Sequence, residues 1–325
     1  MKIGLFLALF GDKSLTEALD AAKAEGLQAV EIGVGAYPGG GHLPNIDELL
    51  VSKDAQQALM GQIESRGLTL SALSCHGNPI HPDPAIAKDH HQAFVNAVRL
   101  AGALGIKCVN GFSGCPGDHD GAKYPNWVTC AWPDEFRDIL DYQWNEVAIP
   151  YWTEQHKLLE DHGVNFCIEM HPGFLCYSND TLLRLRKAVG PRIGANFDPS
   201  HLWWQGIDPI AAVRQLGQEG ALFHVHAKDT RIDPYTSALN GNLDTKSYGD
   251  IMNRSWVFRS VGYGHTLGWW KEFVSVLRTV GYDDVLSIEH EDALMSPMEG
   301  LRKALDVLRA SVISEPAGEM FWAKD

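Results

Sequence analysis

The chain has 325 residues, 45% of them hydrophobic and 21% charged, with 41 acidic side chains against 27 Lys and Arg. That length suits two modest domains or one large α/β barrel with insertions, and the composition supports a full apolar core. The formal charge of −14 repels phosphate backbones and anionic membrane surfaces, which argues against nucleic acid and for a small ligand that is neutral or held through a cation.

The opening "MKIGLFLALFGDKS" has a short apolar run, no small-residue cleavage site and an amphipathic helix directly after it, so it reads as a buried first strand and not as a signal peptide. No apolar stretch is long enough to cross a bilayer. The next strand-like runs are "AVEIGVG" (29–35), "LTLSALSCHG" (68–77) and "KCVNGFSG" (107–114), followed by "NFCIEMH" (165–171), "RIGANFDPSH" (192–201), "ALFHVHAKD" (221–229) and "VLSIEHED" (285–292). With "KIGLFLAL" (2–9) they make eight. They are near-continuously apolar, as strands buried on both faces of a parallel sheet are.

Helical stripes fill the gaps. Leu15, Ala18, Leu19 and Ala22 share one face before Gly26; Leu158 and Leu159 precede Gly163; Phe273, Val274, Leu277 and Val280 precede Gly281; Leu301, Ala304, Leu305, Leu308 and Val312 close the chain. Eight strand–helix units without a break in composition predict a (β/α)8 TIM barrel as a single domain over 1–325. An open doubly wound sheet is the second choice, but no GxGxxG follows the first strand. "YPGGGHLP" (37–44) leads into Pro and reads as a flexible loop, not a phosphate cradle. Three long connections, 36–53, 115–133 and 230–267, would all lie on the C-terminal face, where barrel chemistry occurs. The last, with Trp256, Phe258, Arg259, Tyr263 and His265, is read as a pocket wall or lid.

Cys75, Cys108, Cys115, Cys130, Cys167 and Cys176 form no CxxC pair. They are expected to be reduced, mostly buried thiols of a cytoplasmic protein.

The strand ends carry the chemistry. Residues two apart on a strand point the same way, so Glu169 and His171 in "IEMHPG" face one spot. Glu31, His76, Asp198, His201, His224, His226, Asp229, Glu289 and Glu291 stand at the ends of other strands. A lone His or Glu there is usually a hydrogen-bonded rim residue. Acids and imidazoles recurring on four consecutive late strands are instead a donor set for a divalent cation, and so many buried acids without one would be costly.

The motifs "IEMHPG", "NFDPSHL", "HVHAKD", "VGYGH" and "GYDDVLSIEHED" make the whole chain resemble the xylose isomerase-like barrels, which include sugar isomerases, keto-sugar 3-epimerases, inosose-processing enzymes and, more distantly, endonuclease IV. The resemblance implies one divalent ion on Glu169, Asp198, His226 and Glu289. Manganese is expected first, although ligand type does not separate it from magnesium, cobalt or zinc. It further implies that Glu169 and Glu289 exchange a proton beside the ketone of a keto-sugar, giving isomerisation or epimerisation through an enediolate. Members of the wider family that act on 3-keto-glycosides carry a His two places after the first Glu. There His171 would be the base of a β-elimination, in some cases with a small partner subunit.

His76, His201, His224, Glu31 and Arg231 are expected to contact substrate. His201 has a helix-start hydrogen bond as its alternative and His171 a bond to the carbonyls before Pro172; Lys228 and Arg231 are read either as binding a phosphate or polarising a carbonyl, or equally as exposed salt pairs. Asp229 is expected to orient His226. Of Trp127, Trp132, Trp203 and Trp204, one is expected to stack on a sugar ring. The partner is thus a small sugar or glycoside, and a homo-oligomer is expected because barrels of this kind commonly pair. In the nuclease branch an Asp-x-His stands just before an "IGEG"-like segment, where this chain has "WVFRSVGYG". Trp256 and Phe258 hold those places here, which argues against a DNA-repair nuclease.

Overall fold

Each of the eight apolar runs forms a strand in the computed structural model, which describes residues 1–323. They are β1 (Lys2–Phe6), β2 (Ala29–Gly33), β3 (Thr69–Ser74), β4 (Cys108–Gly111), β5 (Asn165–Glu169), β6 (Ile193–Phe197), β7 (Leu222–Ala227) and, after two further strands, β10 (Val285–Ile288). All neighbours pair in parallel, and β10 closes the ring between β7 and β1. The architecture is therefore the expected closed (β/α)8 barrel. Its helices pack outside, where the predicted stripes bury Leu19, Leu159, Phe273 and Leu305 among others.

Local chemistry sets the helix ends. Ser14 and Glu17 form a reciprocal capping box at the start of Leu15–Ala24. Gly163, at φ 65°, ends Ile149–His162 in the left-handed conformation that a side chain disfavours.

The strands stop before the polar ends of the runs. β5 ends at Glu169, β6 at Phe197 and β7 at Ala227. In "DPSH" the backbone turns out of the sheet because the Asp198 carboxylate accepts from the Ser200 amide at 2.8 Å, opening the short helix Ser200–Trp203. Asp198, His201, Lys228 and Glu289 thus sit on the rim just past the ladder, while Glu169 and His226 are paired at its end.

The connection after β7 is more ordered than a loop. β8 (Asp229–Ile232) pairs antiparallel with β9 (Trp256–Arg259), and the helix Pro234–Asn240 lies between them. Asp229 ties this ribbon down. Its carboxylate accepts from the backbone amides of Gly262, Gly264 and His265, from the His265 ring and from the Trp270 indole, at 2.8–3.3 Å. A Cβ at Gly264 would collide with the Thr230 backbone and the Asp229 carboxylate, so the second glycine of "VGYGH" is needed for this close approach. Asp229 does not orient His226 as expected; it orders the segment behind the pocket wall.

All six cysteines are free, and Cys130 alone is exposed. Among the described residues no helix is long and apolar enough to cross a membrane.

Candidate metal centre

Below the rim the barrel interior is polar. Glu31, on β2, is fully buried, and its carboxylate accepts from Ser74 Oγ (2.5 Å), Asn110 Nδ2 (2.9 Å), Ser287 Oγ (2.8 Å) and His226 Nε2 (3.0 Å). These donors arrive from β3, β4, β10 and β7. Although burial works against its charge, the His226 ring and the hydroxyl donors hold its pKa well below the usual carboxylate range.

The bond from His226 has a directional consequence. With Nε2–H donated to Glu31, Nδ1 is left facing the rim, 3.2 Å from Glu169 Oε2 and 3.3 Å from Glu289 Oε2. Nδ1 is buried and has no hydrogen-bond partner; Asp198 Oδ2 is buried too, and its neighbours are the charged groups of Lys228 and His201. One atom each from Glu169, Asp198, His226 and Glu289 lies within 4.8 Å of the other three. A buried imidazole nitrogen without a hydrogen-bond partner among converging carboxylates fits a small cation, and the mixed oxygen–nitrogen set suits a hard or borderline divalent ion. Burial opposes charge on the His226 ring, yet Glu31 and Glu289 hold its pKa well above the usual imidazole range. The pocket thus demands positive charge at this point.

Around the cluster lies a cavity of about 350 Å³ lined by His76, Glu169, His171, His201, Lys228, Glu289 and Glu291, with Phe6, Ala8, Tyr37, Pro38 and Phe112 as further walls. His76 Nε2 is 3.0 Å from Glu169 Oε2, and His201 Nε2 is 3.0 Å from Glu169 Oε1 and 3.3 Å from Asp198 Oδ2. Burial and Lys228 both oppose charge on His201, but Asp198 and Glu169 bring its pKa up to about 9. The His171 ring lies against His201, tilted by 53° with 4.1 Å between centroids, and its Nδ1–H donates to the Pro172 carbonyl. That bond leaves Nε2 with its lone pair free. Burial and the neighbouring His201 hold its pKa down to about 3, so the ring is neutral at pH 7. The sequence set a bond to a carbonyl before Pro172 against a role at the site; the bond found is to the Pro172 carbonyl itself, and it coexists with a place in the cavity.

Three expected substrate contacts lie elsewhere. Glu31 is fully buried with its oxygens engaged by four side chains, so it is a support under His226. His224 is buried beside it, with Nδ1–H donated to Asn196 Oδ1 at 2.9 Å, and burial lowers its pKa to about 4. Arg231 is exposed on β8 opposite Val257 and does not line the cavity. Lys228, by contrast, is far from an exposed salt pair. Its ammonium is buried, 2.7 Å from Glu289 Oε2, 3.0 Å from Glu291 Oε2 and 3.1 Å from Asp198 Oδ2, above the ring of Phe258. Despite its burial, these carboxylates hold its pKa well above the ordinary lysine value. The signal for Lys228 was in the sequence: it stands two places after His226, the spacing that pairs Glu169 with His171 and Glu289 with Glu291. The apolar walls Phe6 and Phe112 stand at the ends of β1 and β4. A search for polar strand ends passes over them.

A model of the family described as "Xylose isomerase-like TIM barrel" matches residues 19–311. A Bacillus subtilis (strain 168) protein, YfiH, is 42% identical over 96% of this chain and 99% of its own. Among solved structures, a D-tagatose 3-epimerase-like protein superposes with a TM-score of 0.63 at 20% identity, covering 95% of this chain and 97% of that one. The IOLI protein, solved with a binding zinc atom, gives 0.62 at 17% identity over 96% and 98%. At these identities the two structures share the fold.

Proposed function

The chain belongs to the xylose isomerase-like TIM-barrel family, and from that premise we propose that it is a divalent-metal-dependent enzyme that abstracts the proton beside the ketone of a keto-sugar and returns it to give an isomer or epimer. The observation that carries this reading is the convergence of Glu169, Asp198, His226 and Glu289, two of which, Glu169 and Glu289, line a cavity large enough for a small ligand. These four would hold the ion. Such an ion would supply Lewis acidity, making the proton beside a ketone easier to remove.

The chain's own groups supply the rest. Glu169, at the end of β5, and Glu289, just past β10, both approach His226 Nδ1 and serve as the pair that takes and returns the proton. Glu169 is fixed by His76, His201 and Asn196, and Glu289 by Lys228. His201 and Lys228 present positive charge to the substrate oxygens. Phe6 and Phe112 give the cavity an apolar side against which the C–H face of a sugar lies.

A second outcome is favoured by one feature, the neutral His171 with Nε2 free at the cavity wall. A base there removes the proton from the other side and allows a β-placed leaving group to depart, as in cleavage of a 3-keto-glycoside. Incubating manganese-loaded protein with ketoses and 3-keto-glycosides in deuterated water tests both. Mass spectrometry reads deuterium at the carbon beside the carbonyl, together with any freed aglycone. No exchange with any ketone sinks the proposal.

A further inference from the structure

Beyond the metal cavity, four segments of the same barrel face enclose a second hollow of about 400 Å³. The 115–133 connection contributes Trp127 and Thr129, the turn after β5 contributes Tyr177, the turn after the Asp198–His201 segment contributes Trp204 and Gln205, and the insertion after β7 contributes Asn242. This hollow and the metal cavity share no lining residue. We infer that it is a binding subsite for an uncharged glycosyl ring, so that the substrate is a keto-sugar bearing a second sugar unit. The inference rests on the function proposed above for the reactive end of that substrate.

The chemistry of the walls selects the occupant. Trp127 meets Tyr177 edge to face at 5.6 Å, and Trp204 lies flat on Trp256 at 4.6 Å. These rings offer apolar faces, and the two amides and the Thr129 and Tyr177 hydroxyls offer hydrogen bonds. No lining side chain carries charge, so a phosphate, carboxylate or ammonium group would be desolvated without compensation. A sugar ring, with C–H patches on its faces and hydroxyls around its edge, matches both parts. The indole N–H groups of Trp127 and Trp204 are buried without partners, and Trp204 as a whole is only 7% exposed. Natural folds leave few such donors unmet without a reason.

The hollow is also built from the metal site's own segment. Gln205 Nε2 donates to the carbonyls of His201 (2.7 Å) and Tyr177 (3.1 Å), joining the two turns. From Trp204 a run of packed rings passes through Trp256 and Phe258 to His201 in the metal cavity. A ligand seated in the hollow therefore lies against the wall of the reactive centre.

The test uses two variants, because Trp127→Ala removes a large half-buried ring and Thr129→Arg adds only an exposed-loop side chain that fills the hollow with charge and bulk. Saturation-transfer NMR with maltose and cellobiose on chelator-treated protein reads the hollow without the metal. The inference predicts binding by the parent and at least a tenfold weakening in both variants. In the manganese-loaded enzyme, Thr129→Arg raises KM for maltulose while leaving fructose exchange unchanged. Equal disaccharide binding by parent and variants overturns the subsite, and so does binding of the planar control catechol with neither sugar. If the parent exchanges no ketone proton but the variants still lose disaccharide binding, the reaction proposed above fails and the subsite stands.

Discussion

His226 gives one ring nitrogen to Glu31, at 3.0 Å, and turns the other toward Glu169 and Glu289. The buried acid thereby sets which nitrogen meets a cation. Glu31→Gln keeps the shape but removes the charge that fixes the ring. It is expected to weaken manganese affinity about 10–100-fold, measured by calorimetry, while circular dichroism stays that of the parent. Unchanged affinity would mean that Glu31 is only a core hydrogen-bond partner.

A proton and a cation compete for His226. In the metal-free protein its pKa is raised well above the usual imidazole range, so Nδ1 is protonated at neutral pH and must release that proton to bind an ion. Raising the pH therefore favours the ion, and affinity climbs by up to about tenfold per pH unit until the His226 pKa is passed. Calorimetry in buffers of different ionisation enthalpy should report about one proton released per ion. Affinity that stays flat from about pH 6 to pH 8 contradicts this protonation state.

Glu289 and His171 divide the two proposed reactions. Glu289→Gln is expected to lower kcat for ketose exchange by roughly 10²–10⁴-fold. His171→Asn spares that exchange and instead abolishes release of an aglycone from a 3-keto-glycoside. Exchange and aglycone assays on the two variants check the split, and equal loss in both assays for His171→Asn would merge the two roles.

Lys228 bridges three carboxylates with its buried ammonium. Lys228→Met leaves those acids facing one another, and in chelator it should cost about 3–5 kcal/mol of stability. Urea unfolding of metal-free parent and variant measures this. A variant as stable as the parent would show that the acids relax into solvent.

The Asp229 carboxylate collects five donors from the segment after β9 and from Trp270. Asp229→Ala strands several of them in the interior and should lower stability by at least about 3 kcal/mol, seen as a lower urea midpoint. A midpoint equal to the parent's would show that the Gly262–His265 turn refolds around the loss.

The barrel was legible because strands buried on both faces must be apolar, and the chain holds eight such runs with helical stripes between them. The four candidate ligands were legible because a strand alternates its faces and the motifs around them resemble a known family. Depth was not. Glu31 and His224 satisfy the same alternation as Glu169 and His226, but they sit one layer lower, where serine and asparagine donors from other strands reach them. No local pattern carries that layer, since it follows from strand tilt and register around the closed ring. For Lys228 the sequence left an exposed salt pair and a role at the site open, for a related reason. A lysine is ordinarily exposed, and only the three acids brought together by the fold make its burial tolerable. The β8–β9 ribbon was read as loop because its short strands are interrupted by a polar insertion.

The most direct test of the central claim is an anomalous difference map from crystals soaked in manganese. The account predicts one strong peak per chain, coordinated by Glu169, Asp198, His226 and Glu289 together, and its loss in an Asp198→Asn variant. A map with no peak there, or with the ion held by other residues, would contradict it.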